Sequence, residues 1–205
     1  MPEKILVIDD SPEIQALVKV RLSKEQVVVH CANDGASGLT AARKLQPDVI
    51  LLDVDMPHRD GFATCADLKA DSITMDIPII FLTGASSTED KIRGLELGAT
   101  DYVTKPFDPA ELQARVRSSL RTRYLMELLA KKAMIDGLTG LWNRTYLDAH
   151  LQMLLSSAQR RCMPLSCIMA DVDHFKSIND TYGHSFGDEV LREIAKIFSE
   201  CCRQE

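Results

Sequence analysis

Five polar side chains each come at or just after the end of a short apolar run in the first half of the sequence. They are Asp9, Asp10, Asp53, Thr83 and Lys105. If these runs are parallel strands, their carboxyl ends meet at one edge of a sheet, and the five side chains lie close together. Clustered carboxylates repel one another and require a cation, and oxygen ligands in an open, hydrated site suit Mg²⁺. A metal ion, a hydroxyl group and a lysine around Asp53 are the groups that stabilise an in-line phosphoryl transfer onto that carboxylate.

The apolar runs alternate with segments of helical pattern over the first 122 residues. We predict strands at 4–8, 27–29, 48–52, 77–82 and 101–104, and helices after Ser11, over 34–45, 60–70 and 88–97, and from Asp108 onward. Residues 49–52 are wholly apolar, as expected of a central strand that is buried on both faces. Five strands alternating with five helices predict an α/β fold, a (βα)5 doubly wound parallel sheet with helices on both faces.

Taken in order, these residues resemble the receiver domain of bacterial two-component response regulators, which has a flavodoxin-like fold. The matching motifs are Asp9-Asp10, Asp53 with Met56-Pro57 and Asp60-Gly61, Thr83-Gly84, and Lys105-Pro106-Phe107. The resemblance covers residues 1–122 without a gap and implies that a cognate histidine kinase is a partner of this chain.

The resemblance also implies a role for each matching residue. Asp53 would accept the phosphoryl group, and the Mg²⁺ ligands would be Asp53, Asp10 helped by Asp9, and the backbone carbonyl of Asp55. Thr83 and Lys105 would contact the phosphoryl oxygens, while Tyr102 would be the switch aromatic whose ring turns inward as Thr83 moves toward the phosphate. Lys105–Pro106 would be a cis peptide. Considered singly, each residue is better explained by a structural role: Asp9 and Asp10 as helix caps, Thr83 as a strand-end hydroxyl and Tyr102 as a ring at the edge of the core.

A long helix is predicted over residues 108–134, between the receiver-like part and the remainder of the chain. Leu112, Val116, Leu120, Tyr124 and Leu128 recur at four-residue steps, and no glycine or proline interrupts the segment between Pro109 and Gly137. Such a helix is about 39 Å long at 1.5 Å per residue. Because a long helix with an apolar stripe more often packs on a second copy than stands alone, we predict a homodimer through this region.

Residues 134–205 carry a second series of motifs. We predict helices over 145–159 and 189–202 and a strand over 165–170 that delivers Asp171 and Asp173 to its end. The segments 136–144 and 171–188 are similar to the opening of the GGDEF family, the diguanylate cyclases that condense two GTP molecules into cyclic di-GMP. The resemblance implies an α+β lobe that binds Mg²⁺ or Mn²⁺ together with GTP. By position, the metal ligands would be Asp171 and the Val172 carbonyl, the phosphate-binding groups Phe175 and Lys176, and the guanine-binding groups Asn179 and Asp188.

Residues 1–205 contain no Gly-Gly followed by acidic residues, the signature hairpin of the GGDEF family. We therefore expect the 134–205 segment to be the N-terminal part of a GGDEF domain and this polypeptide to be inactive as a cyclase. Whether the chain is an enzyme stays open at this point. One hypothesis is a phosphorylation-controlled regulator of a cyclase in an intact parent protein. The alternative is a non-catalytic switch that changes its dimerisation or its partners on phosphorylation.

Composition excludes several other classes. The net charge is −6, and residues 1–110 carry 11 basic and 18 acidic side chains, so the first part lacks the basic face of a nucleic-acid-binding protein. No recognition-helix module follows the linker helix, and we predict no DNA partner. No apolar run approaches the length of a membrane span and the first residues lack a signal-peptide pattern, so we predict a cytoplasmic protein without membrane contact. The six cysteines, in no metal-binding spacing, are expected to be reduced and mostly buried.

Overall fold

A computed structural model describes residues 2–23, 25–57, 59–84 and 88–201. The chain divides into two compact units, residues 1–126 and 127–205. Among the described residues of the first unit, five strands form one parallel sheet in the order β2-β1-β3-β4-β5. The strands are β1 Glu3–Ile8, β2 Val27–Ala32, β3 Val49–Asp53, β4 Ile79–Thr83 and β5 Asp101–Thr104. The predicted doubly wound parallel sheet is confirmed.

Helices alternate with the strands, and three of them begin at a polar cap. They are α1 Pro12–Leu22, α2 Gly35–Leu45, α3 Gly61–Ala70, α4 Thr88–Glu96 and α5 Pro109–Ala133. Ser11, Asp34 and Asp60 each accept a hydrogen bond from a backbone N–H of the first turn of α1, α2 and α3, respectively. These bonds satisfy N–H groups that would otherwise lack a partner, and each contributes about 1 kcal/mol. These three caps therefore fix where the chain enters α1, α2 and α3.

The core lies on both faces of the sheet. Because side chains alternate along a strand, Leu6 and Ile8 of β1 pack with α2 and α3, while Ile5 and Val7 pack with α1 and α5. All five residues of β3 are buried. Burying an isoleucine or leucine side chain contributes about 1.5–3 kcal/mol, so this two-sided core holds the strand ends in fixed positions.

The predicted helix over 108–134 is observed as the single helix α5, which has 25 residues. Its first half is anchored in the core by Leu112 and Val116, which are fully buried. Its second half carries exposed apolar side chains, among them Tyr124 at 62%, Met126 at 66% and Leu129 at 65% exposure. The apolar stripe thus continues beyond the part that the sheet covers.

The described part of the second unit is helical apart from turns and coil. It contains α6 Arg144–Arg161, α7 Phe175–Tyr182 and α8 His184–Cys201. The expected helix over 145–159 is observed, and the one expected from residue 189 begins five residues earlier, at His184. The predicted strand over 165–170 is wrong, because these residues are exposed coil. A strand needs a neighbour to pair its backbone groups, and the described residues 127–201 form only the isolated bridge between Ile135 and Trp142.

The cysteines are free thiols wherever the structure describes them, and Cys202 lies outside those residues. Cys65 is buried and Cys31 is partly buried, but Cys162, Cys167 and Cys201 are exposed. The expectation of mostly buried thiols is therefore wrong for the second unit, where few residues are covered. Of the helices described, none is long and apolar enough to cross a membrane.

Candidate functional site

Two buried aspartates lie side by side where β1 and β3 end. Ile8 pairs with Leu52 in the sheet, so the next residues, Asp9 and Asp53, are neighbours. Asp9 is 0% and Asp53 3% exposed, whereas Asp10 is exposed. One carboxylate oxygen from each of the three residues lies within 4.8 Å of the others. The three carboxylates predicted to meet at this edge of the sheet are therefore close together.

The donor set of this cluster fits Mg²⁺. All three groups are carboxylates, and the exposed Asp10 leaves one side open for water ligands. Asp9 is the least available of the three, because its Oδ1 accepts from the Ser11 N–H at 2.9 Å and its Oδ2 accepts from Lys105 at 2.9 Å. Asp10 and Asp53 are thus the better placed carboxylates for direct contact with a cation, and Asp9 supports them with its charge.

Lys105 joins the two buried aspartates. Its Nζ lies 2.9 Å from Asp9 Oδ2 and 2.9 Å from Asp53 Oδ1. Burial alone would lower the pKa of Lys105, but the hydrogen bonds to both carboxylates and the attraction of their negative charges together outweigh that effect and raise the pKa. Burial raises the pKa of Asp53, because desolvation outweighs the hydrogen bond from Lys105. The lysine therefore stays charged and balances part of the negative charge that the sheet core encloses.

The backbone around Lys105 places its side chain over the sheet edge. The Lys105 N–H donates to the Thr83 carbonyl at 2.7 Å, which ties the end of β5 to the end of β4. The Lys105–Pro106 peptide is cis, as predicted. The hydrogen bond to Thr83 therefore fixes the Lys105 backbone at the edge of the sheet.

The loop after β3 is held close to Asp53. The Asp55 N–H donates to Asp53 Oδ1 at 3.3 Å, and the Gly61 N–H donates to the Val54 carbonyl at 3.0 Å. A Cβ at position 61 would lie 2.8 Å from the Val54 Cα, closer than real contacts allow. Only glycine permits this approach, and it keeps the Asp55 backbone beside the carboxylate cluster.

Thr83 and Tyr102 line one small cavity beneath α4. Thr83 ends β4 and is buried, and Tyr102 lies on β5, where it pairs with Phe81. The cavity is also lined by Phe81 and by Lys91 of α4. The Tyr102 ring is half-buried, with the Lys91 Nζ 4.4 Å from its centroid. The two residues predicted to form the switch therefore line the same cavity.

Two residues near the site were not singled out by the sequence pattern. Lys91 looks like any lysine on a solvated helix face, and Gln15 looks like a polar residue on α1. Gln15 is in fact buried against Asp9 and donates to its carbonyl at 2.7 Å. A polar residue at a position where the helical spacing of α1 calls for an apolar one is the signal that could have identified Gln15.

The six residues predicted for nucleotide binding lie on three different segments of the second unit. Asp171 and Val172 are in the coil before α7, and the side chain of Asp171 is exposed. Phe175, Lys176 and Asn179 lie on α7, and Asp188 lies on α8. Within the described part of the chain, Asp9, Asp10 and Asp53 form the only set of three or more acidic, histidine or cysteine side chains close enough to share an ion, and Asp171 belongs to no such set.

One contact does bring two parts of the predicted nucleotide site together. A Cβ at Gly187 would overlap the Oδ1 of Asn179, so the missing side chain at 187 makes room for that amide. The contact places Asn179 next to the residue that precedes Asp188. It also explains why α8 carries a buried glycine at this position.

Family models match both parts of the chain. Residues 5–117 match the response regulator receiver domain, and residues 133–205 match the diguanylate cyclase GGDEF domain. The response regulator PleD of Caulobacter vibrioides is 30% identical over 199 residues, which cover 94% of this chain and 43% of PleD. The DNA-binding transcriptional regulator RpaA of Synechocystis is 45% identical over 132 residues, covering 64% of this chain and 55% of RpaA. The chain spans about half the length of the curated relatives it matches.

Solved structures match the first unit. A response regulator from Chloroflexus aurantiacus superposes with a TM-score of 0.57 at 33% identity, covering 59% of this chain and 99% of that one. The chemotaxis protein CheY4 of Vibrio cholerae gives a TM-score of 0.56 at 34% identity, covering 58% of this chain and 99% of its own.

Proposed function

Since the chain belongs to the response regulator receiver family, we propose that it is a phosphorylation-controlled regulator in two-component signalling and that Asp53 accepts the phosphoryl group from a histidine kinase. The observation that carries this proposal is the Lys105 ammonium, 2.9 Å from both Asp9 and Asp53 at the edge of the sheet. A buried carboxylate beside a fixed cation and an open acidic cluster is suited to phosphoryl transfer.

In the proposed reaction, a carboxylate oxygen of Asp53 attacks the phosphorus atom of the donor. The new oxygen–phosphorus bond forms as the bond from phosphorus to the histidine nitrogen breaks, and the imidazole leaves. Asp10, Asp53 and the Asp55 carbonyl, with Asp9 in support, would hold Mg²⁺, which supplies positive charge to the phosphoryl oxygens when bound. Lys105 and the Thr83 hydroxyl would contact the remaining phosphoryl oxygens.

Phosphorylation would then change the first unit through Thr83 and Tyr102. As Thr83 moves toward the phosphoryl group, space opens in the cavity that both residues line, and the Tyr102 ring turns inward. The ring would leave its contact with Lys91. This change alters the surface formed by α4, β5 and α5. We propose that α5, which corresponds to the linker helix predicted over 108–134, carries the change from a receiver domain at 1–122 toward residues 134–205.

We further propose that the output is diguanylate cyclase activity in a protein that contains a whole GGDEF domain. The similarity to PleD over nearly the whole chain and the match of residues 133–205 support this. Asp171 and the Val172 carbonyl would bind the metal, Phe175 and Lys176 the phosphates, and Asn179 with Asp188 the guanine. Because residues 1–205 contain no Gly-Gly-acidic signature, this polypeptide by itself should form no cyclic di-GMP from GTP.

A homodimer is the proposed means of control, because condensing two GTP molecules requires two sites to face each other. The exposed apolar residues of α5 support it: Tyr124, Leu125, Met126, Leu128 and Leu129. The same residues favour the second candidate function, a non-catalytic switch that exchanges partners on phosphorylation. Cyclic di-GMP production by a longer form that includes the GGDEF signature would decide for the cyclase.

The test of the phosphoryl-transfer proposal uses the chain with acetyl phosphate and Mg²⁺, followed by intact mass spectrometry. The wild-type protein should gain one phosphoryl group and Asp53→Asn none. Asp76→Asn, which removes an exposed carboxylate elsewhere in the first unit, is the matched control and should be modified like the wild type. Equal modification of wild type and Asp53→Asn, or no modification of either, would overturn the proposal.

A further inference from the structure

Gln15 is a buried glutamine at the point where β1 and β2 end. Its side chain is 9% exposed, and its Nε2 donates to the Asp9 carbonyl at 2.7 Å and to Asn33 Oδ1 at 2.8 Å. The Ala32 carbonyl lies 3.3 Å from the same nitrogen. An amide nitrogen has two hydrogens, so the two short bonds use both of them, and the third contact is a weaker, shared one.

The carbonyl that Gln15 holds belongs to the peptide unit joining Asp9 to Asp10. A peptide unit is planar, so fixing its oxygen fixes the direction in which the chain enters Asp10. The Asp9 N–H donates to the Ala32 carbonyl at 3.1 Å. With its carboxylate oxygens held by Ser11 and Lys105, all the polar groups of Asp9 have protein partners.

We propose that Gln15 is a positioning residue for the phosphoryl-transfer site. By tying the end of β1 to the end of β2, it holds Asp9 where its carboxylate anchors Lys105, and it directs Asp10 toward Asp53. This inference rests on the function proposed above and adds a residue that touches neither the phosphoryl group nor the metal. Outer partners of this kind orient metal ligands, and their removal weakens metal binding.

A buried amide could also serve stability alone, and the two roles give different results in a metal titration. Gln15→Met keeps the length of the side chain and removes both N–H donors. In the full chain, Mg²⁺ binding measured from the backbone amide NMR shifts of residues 9–10 and 53–55 should weaken about 10-fold. A purely structural role would lower the melting temperature and leave the dissociation constant for Mg²⁺ unchanged.

Gln113→Met is the matched control. Gln113 Nε2 donates to the Arg21 carbonyl at 2.6 Å, so it too joins a helix to a backbone oxygen, but near the opposite end of α1. This variant should bind Mg²⁺ like the wild type. If Gln15→Met does not give the NMR spectrum of a folded protein, Asn33→Ala tests the inference instead. This substitution removes one hydrogen-bond acceptor of Gln15 at an exposed loop position and should also weaken Mg²⁺ binding, by a smaller factor.

Unchanged Mg²⁺ affinity in folded Gln15→Met, or in Asn33→Ala if that variant has to decide, would overturn the inference. It would leave the proposed function intact provided that the wild type is still phosphorylated by acetyl phosphate and Asp53→Asn is not. If the wild type is not phosphorylated, the proposed function fails whatever Gln15 does. The two failures are therefore distinguishable.

Discussion

Replacing Lys105 with methionine tests the electrostatic account of the site most directly. The substitution keeps the aliphatic side chain and removes the charge that lies 2.9 Å from both Asp9 and Asp53. Carboxylate oxygens of these two residues lie within 4.8 Å of each other, so two full charges repel by about 3.5 kcal/mol at an effective dielectric constant near 20. Protonation of one carboxyl group and relaxation relieve part of this repulsion. We expect Lys105→Met to lower the free energy of unfolding by about 1–3 kcal/mol at neutral pH.

The pH dependence of this loss has a definite sign. Burial already raises the pKa of Asp53 above 3.8, and removing Lys105 raises it further, because the lysine favours the charged form. Between the unfolded and the folded pKa, the folded state binds more protons, so stability falls as pH rises through that window. The deficit of the variant relative to the wild type should therefore be largest at neutral pH and shrink toward pH 4.

Urea unfolding with and without Mg²⁺ provides the assay. A bound cation replaces the missing charge, so Mg²⁺ should stabilise Lys105→Met more than it stabilises the wild type. Lys69→Met is the control, because Lys69 is half-buried and donates to the Met75 and Ile77 carbonyls at 2.8 and 2.9 Å. It should lose stability without gaining extra response to Mg²⁺. An equal Mg²⁺ response in Lys105→Met and wild type would refute the reasoning.

Three further predictions concern Gly61, Cys65 and Asp136. Gly61→Ala should lower the free energy of unfolding, measured in urea, by about 1–3 kcal/mol, because the new Cβ clashes with the backbone after β3. Gly137→Ala is the control and should leave the free energy of unfolding unchanged, because nothing lies within 4 Å of its new Cβ. Burial raises the pKa of the Cys65 thiol to about 11, so Cys65 should be alkylated far more slowly than the exposed Cys162. Timed alkylation followed by peptide mass spectrometry measures both rates, and equal rates would contradict the burial of Cys65. Hydrogen bonds from Thr139 lower the pKa of Asp136, so Asp136→Asn should unfold more readily than the wild type near neutral pH. This difference in stability should fade as the pH falls below about 4, where the carboxylate becomes protonated. A difference that stays constant with pH would show that the charge of Asp136 is irrelevant.

The sheet and the core of the site could be predicted because both depend on short-range patterns. Residues 49–52 are apolar without interruption, which indicates a strand buried on both faces, and a parallel sheet then brings Asp9, Asp53 and Lys105 to one edge. The pattern could not predict which of these groups contact one another. That Lys105 contacts both aspartates, and that both oxygens of Asp9 are already bonded, depends on the closing of the whole sheet.

The predictions that failed concern features that depend on contacts with other parts of the chain. Leu165 to Ala170 has the composition of a strand, but a strand exists only where another backbone pairs with it, and no local signal reports whether a partner is present. Average burial of cysteines likewise misleads for Cys162 and Cys167, which lie where little of the chain is covered. The sequence did not identify Gln15, because a polar amide side chain normally indicates a solvent-exposed position. The same amide can also donate hydrogen bonds to buried carbonyl groups, as it does here.

The unpaired coil between α6 and α7 has a consequence for anyone handling this protein. Ile168 and Met169 are 92% and 94% exposed, and their backbone groups belong to neither a helix nor a ladder. Such a segment fits readily into the extended cleft of a protease, so trace digestion should cut there first and release α7 and α8 from the remainder. The same segment also exposes apolar side chains to other copies of the chain. A concentrated preparation should therefore aggregate through this segment before the β-sheet of the first unit unfolds.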